Sequence, residues 1–90
     1  MLKINRQTDY AVRVVLALAK RGENIRLSTA EIQQEMLIPP ALMTRIVAQL
    51  AREGLVNTSP GRNGGLMLPR PAVQITLKDV VEAFEGPILL

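Results

Sequence analysis

Ninety residues suffice for one small domain, and with 48% hydrophobic residues but one Phe, one Tyr and no Trp its core must be aliphatic. The chain has no Cys and no His, which removes disulfides, thiolate metal ligands, the usual zinc sites and histidine-based catalysis. Net charge is +3 but unevenly spread: residues 1–70 carry ten Lys/Arg against five Asp/Glu, and residues 71–90 carry Lys78 against Asp79, Glu82 and Glu85. The basic part suits a polyanionic partner, although an ordinary soluble surface has the same look. No apolar run approaches the ~20 residues of a membrane span, and "MLKINRQTDY" lacks the apolar centre of a signal peptide. A cytoplasmic location with no membrane partner is therefore expected.

In chain order, "TDYAVRVVLALAKRG" predicts a first helix. Asn5 or Thr8 can cap it and Asp9 suits the positive end of its dipole, while Lys20, Arg21 and Gly22 suit the other end. Only Arg13 and Lys20 interrupt its apolar surface. A helix this apolar needs cover on more than one side, from the domain or from a partner subunit.

"LSTAEIQQEMLI" predicts a second helix from Thr29 to about Met36. Ser28 and Glu31 have the spacing of a capping box, and "IPP" ends the helix because residues before proline avoid the helical region. A third helix follows at once over residues 40–53. Pro40 suits its first turn and Gly54 its end. At 100° per residue, Leu42, Met43, Ile46, Val47 and Leu50 share one half of this helix. Ala41, Thr44, Arg45, Ala48 and Arg52 share the other, with Gln49 at the margin. Two helices joined by a tight turn, the second small and basic outside, read as a helix-turn-helix.

"LVNTSPGRNGGLML" then predicts a β-hairpin, with Leu55, Val56, Leu66 and Leu68 strand-like and residues 60–65 as its tip. Gly61, Asn63, Gly64 and Gly65 tolerate the positive φ of a tight tip. "TLKDVVEAFEG" predicts a last helix capped by Thr76, with Leu77, Val80, Val81 and Phe84 at i, i+3, i+4, i+7. The final "ILL" is apolar and has no readable pattern.

The expected fold is mainly α with a small β-hairpin: a winged helix-turn-helix over residues 1–75. Residues 76–90 then start a C-terminal helical segment whose dimerisation or sensor part lies beyond them. The order of elements points to double-stranded DNA. A major groove about 12 Å wide admits one helix, and Ala41 and Ala48 allow close approach. Thr44 and Gln49 can bond base edges, and Arg45 and Arg52 can pair with phosphate or guanine. Leu42 lies in the same stretch, and Ser28 and Thr29 lie at the start of the preceding helix. In the wing, Gly61, Gly64 and Gly65 let backbone N–H groups approach phosphate, and Arg62 and Asn63 add charge and hydrogen bonds. Each feature has a plainer reading, the glycines as a bare turn and the arginines as a solvated stripe. Their combination in this order favours DNA.

The segments "TDYAVRVVLALA", "STAEIQQEMLIPPALMTRIVAQLAREGLV", "GRNGGLML" and "ITLKDVVEAFEGPI" together resemble a specific group. It comprises the bacterial winged-helix regulators that include the iron–sulfur biogenesis, nitric-oxide-sensing and cysteine-metabolism repressors. The resemblance implies a homodimeric transcription regulator, often a repressor, that binds a roughly palindromic operator. It assigns base reading to Ala41, Leu42, Thr44 and Arg45 and the wing to residues 61–65. Pro60 stands where members often have arginine, and Leu66 where an aromatic is common. Cluster-binding members carry cysteines after "EGP", and some use an acidic residue at the place of Asp9. With no Cys, these residues hold no cofactor alone.

A protein-interaction module is the alternative, favoured by the apolar first helix and disfavoured by the basic third helix. An enzyme is not expected, because no nucleophile or acid/base pair can be identified. Glu82 and Glu85, three apart, read as solvated.

Overall fold

The computed structural model describes residues 5–22, 25–59, 65–71, 75 and 77–86. Among them the elements run α1 (Arg6–Arg21), β1 (Leu27–Ser28), α2 (Thr29–Met36), α3 (Pro40–Arg52), β2 (Asn57–Thr58), β3 (Gly65–Met67) and α4 (Leu77–Glu85). Thr76 and residues 61–64 and 87–90, on which several expectations fell, lie outside the described residues.

Asn5 caps α1, its side-chain oxygen accepting the Thr8 N–H at 2.9 Å. The alternative cap, Thr8, is instead fully buried; its hydroxyl reaches Asn5 Oδ1 at 3.0 Å and the Glu85 carboxylate at the far end of α4. Glu85 is thus not merely solvated. Ala11, Val14, Ala17 and Leu18 are buried where α1 packs against α2, α3 and α4. The polar stripe of α1 also has partners. Arg13 pairs with Asp9 (3.0 Å), lies over the Tyr10 ring and donates to the Met36 carbonyl (3.5 Å), which stands at the C-terminus of α2. Such a donor suits orphan carbonyls at a helix end.

The capping box at α2 is present in full: Ser28 Oγ accepts the Glu31 N–H (3.0 Å) and Glu31 accepts the Ser28 N–H (3.3 Å). α2 closes with Ile38 N–H donating to the Gln33 carbonyl at 3.0 Å, which requires a left-handed residue at Leu37 (φ 55, ψ 48). That turn buries Ile38 and leaves Leu37 81% exposed. α3 closes in the same manner with the residue the geometry prefers: Leu55 donates to Leu50 (2.9 Å), Gly54 to Ala51 (3.1 Å), and Gly54 has φ +73. A leucine in the left-handed region costs about 1–2 kcal/mol, and glycine gives back about 0.4–1 through its freer unfolded state. Leu37→Gly is therefore expected to raise stability by up to about 1 kcal/mol. A urea midpoint that falls in the variant counts against this strain.

The sheet is larger than a hairpin. It has order β1-β3-β2, with both pairings antiparallel: Leu27 opposite Leu66 and Ser28 opposite Gly65 on one side, Asn57 opposite Met67 and Thr58 opposite Leu66 on the other. β1 has no counterpart among the predicted elements. The wing strands are also shifted from the prediction. Leu55 is occupied by the turn that closes α3, so Leu55 and Val56 precede β2 and are buried in the core with Leu66. Leu68 follows β3 and is partly buried against the core. Ser59 N–H to Gly65 carbonyl (2.9 Å) closes the hairpin at its root.

The boundary drawn at residue 75 does not divide the core. Val80 and Val81 of α4 are buried, α4 packs on α1 and α3, and the Gln49 side chain donates to the Ala83 carbonyl at 2.8 Å. On the other side of α1, Val12, Leu16 and Ala19 form a shallow apolar groove with Ile75, Leu77 and Val80, where Leu16 and Leu77 are exposed.

Candidate nucleic-acid interface

The third helix is divided as its periodicity requires. Met43, Ile46 and Leu50 are buried, one below the next on the face toward α1, and Ala41, Thr44, Arg45, Ala48 and Arg52 are exposed. Neither Arg45 nor Arg52 has an ion pair with a described residue. The two stand seven positions apart, about 10 Å along one side of the helix. At the N-terminus of α3 no side chain caps the backbone. Pro40 has no N–H to satisfy, and Leu42 and Met43 both donate to the Pro39 carbonyl at 3.0 Å. An uncapped helix N-terminus carries partial positive charge and suits an anion.

Two residues predicted to face DNA do not sit freely on that surface. Leu42 is partly buried and packed against the core, as its place on the apolar half of the wheel requires. Gln49 is partly buried and its amide bonds the Ala83 carbonyl of α4, so its donor ties helices together instead of standing free for a base edge. A margin position on a helical wheel does not reveal a neighbour 34 residues away. Ser28 and Thr29 are half-buried at the start of α2, the helix before α3. The Ser28 oxygen is used by the capping box, but its hydroxyl proton is not.

In the wing, Gly61, Arg62, Asn63 and Gly64 lie outside the described residues. Gly65 is described, and its role differs from the expectation. It is a buried strand residue opposite Ser28, without the positive φ of a tip glycine. What it supplies is space. A Cβ there would stand 2.7 Å from the Leu27 carbonyl oxygen, 2.8 Å from Arg26 Cγ and 3.2 Å from Arg26 Cδ. Arg26, exposed just before β1, was not among the predicted site residues; a lone basic residue ahead of "LST" carries no readable signal.

The model of the Rrf2 family, described as an iron-dependent transcriptional regulator, matches residues 4–90. Protein aau3 of Rhizobium meliloti is 42% identical over 84 residues, which are 93% of this chain and 54% of that protein. A Lactococcus lactis protein named as the HTH-type transcriptional regulator YffB is 32% identical over 85 residues, covering 94% of this chain and 54% of its own. Among solved structures, CymR (YrzC), the global cysteine regulator of B. subtilis, is similar with a TM-score of 0.89 at 31% identity, over 98% of this chain and 68% of that one. The chain thus spans about half the length of the curated relatives it matches. No helix among the described residues is long and apolar enough to cross a membrane.

Proposed function

The chain belongs to the Rrf2 family of transcriptional regulators, and on that premise we propose that it is the duplex-reading part of a cytoplasmic, homodimeric repressor. In this reading α3 enters the major groove of a palindromic operator, and the wing of β2 and β3 lies on the adjacent backbone or minor groove. The observation that carries it is the exposed face of α3. Small Ala41 and Ala48 stand beside Thr44 and two arginines without ion-pair partners among the described residues, next to a helix N-terminus that no side chain caps. A two-fold dimer places two such helices about 34–36 Å apart, one turn of DNA. The apolar groove beside α1 supports a chain that does not act alone.

The family description refers to iron, and the donors present here do not fit an iron site. The chain has no Cys and no His, and the Asp9 carboxylate is engaged by Arg13 at 3.0 Å. These 90 residues accordingly bring no cofactor of their own in the proposed mechanism, and α3 needs none to read DNA.

Fluorescence anisotropy with a mixed-sequence duplex tests the reading. Affinity is expected to fall with salt, with a log–log slope of about −0.9 for each phosphate neutralised; association indifferent to salt overturns it. Arg45→Ala is expected to cost about 1–3 kcal/mol against the preferred site and to flatten base preference at one position. Selection from random duplexes, run on both proteins, reads this directly. An unchanged preference would make Arg45 a phosphate contact and not a base reader.

A further inference from the structure

We propose that Arg26 is a phosphate-contacting residue at the root of the wing, its stem lying across Gly65 in the room left by a glycine that the Leu27 carbonyl oxygen, 2.7 Å from a would-be Cβ, already requires. The inference rests on the duplex-binding reading above and adds to it a contact from outside both α3 and the wing tip.

Arg26 immediately precedes Leu27, which pairs with Leu66, so Arg26 stands level with Met67 of the central strand. Its Cγ and Cδ do not extend into solvent at that level. They lie 2.8 and 3.2 Å from the point where a Gly65 Cβ would be, which brings the stem along the sheet toward the first residue of β3. Gly65 is the first residue of β3 and its carbonyl accepts the Ser59 N–H, so the side chain is directed to the end of the sheet where β2 and β3 are joined. Any other residue at 65 would displace that stem.

The surroundings match a phosphate. Arg26 lines a groove with Asn57 and Thr58 of β2, Ser59 just after it, Ala51 of α3 and the apolar Val56 and Met67. Among the described residues no acidic side chain lines this groove, and Arg26 has no ion pair with any of them. A guanidinium flanked by two hydroxyls and an amide is a donor set for phosphate oxygens. Arg52 leaves the last turn of α3 one residue after Ala51.

The test uses Arg26→Met and Arg26→Gln, which keep an unbranched stem over Gly65 and remove the charge, with Arg26→Lys as the charge-retaining control. Each is titrated with the mixed-sequence duplex over a range of salt. Both neutral variants are expected to give a slope about 0.9 shallower than the parent, one phosphate fewer, and Arg26→Lys is expected to keep the parent slope. Base preference selected from random duplexes is expected to be the same in all four proteins. Neutral variants with the parent slope and affinity overturn the inference and leave the reading of α3 standing. A changed base preference overturns it too, by making Arg26 a base reader. A parent chain that binds no duplex overturns both.

Discussion

Leu50→Ala is expected to lower the free energy of unfolding by about 2–5 kcal/mol, whereas Ala48→Leu, two positions earlier, is expected to leave stability within about 0.5 kcal/mol. Leu50 is fully buried in the middle of the core. Truncating it loses the transfer energy of the methyl groups and leaves a cavity that a sheet of seven strand residues and four short helices cannot easily collapse. A domain of this length has about 5–13 kcal/mol in total, so the variant is expected to be partly unfolded well below the parent's melting temperature. Ala48 is exposed on the opposite side of the same helix. A leucine there meets no protein atom that must move, but it holds the helix away from a groove wall. Duplex affinity is expected to fall about tenfold or more, since each 1.4 kcal/mol of lost contact is a factor of ten. Urea denaturation and anisotropy on the two variants separate the inner and outer faces of α3. An Ala48→Leu protein that binds like the parent would place DNA elsewhere.

Gly65→Ala is the second large effect, expected to cost about 1–3 kcal/mol through overpacking. Glycine-to-alanine changes at permissive positions usually stabilise by about 0.4–1 kcal/mol through the unfolded chain, so the sign is informative. Here the new Cβ would meet the Leu27 carbonyl oxygen at 2.7 Å. That oxygen belongs to backbone held in the β1–β3 ladder, where Leu27 pairs with Leu66, so it cannot rotate away as a side chain does. The Arg26 stem can yield, but only by leaving the position described above. A urea midpoint equal to or above the parent's would show that β1 shifts at no cost. Gly54→Ala does not offer the same contrast, because Gly54 has open space around it and a positive φ.

The helical half of the fold was legible because its signals are local. Ser28 and Glu31 announce the start of α2 within four residues, "IPP" ends it, and Pro40 and Gly54 bracket α3; each acts through backbone groups of its immediate neighbours. The division of α3 followed from periodicity alone. β1 was not legible, since two residues carry no alternation, and their pairing with β3 is decided some 38 positions later. Gly65 resembles its neighbours in "NGG", and nothing local distinguishes a glycine needed for φ from one needed for room. Gln49 and Thr8 have contacts that local sequence did not reveal, for a common reason. Gln49 was placed by its margin position on a wheel and Thr8 as an alternative cap, and both are bonded to α4, whose docking position is a tertiary fact. Arg26 was overlooked because its meaning comes from the empty side of another residue.

The pairing of β1 with β3 has a consequence for how the molecule assembles. Its two partners enclose α2, α3 and β2 along the chain, so the sheet closes only once a loop holding the whole helix-turn-helix has been drawn together. Helices that depend on nearby caps, and the short-range β2–β3 pairing, need no such closure, while β1 must wait for it. The domain is thus expected to order in two steps, with the helix-turn-helix and the local β2–β3 ribbon able to form early and β1 laced on last, when the chain has come full circle.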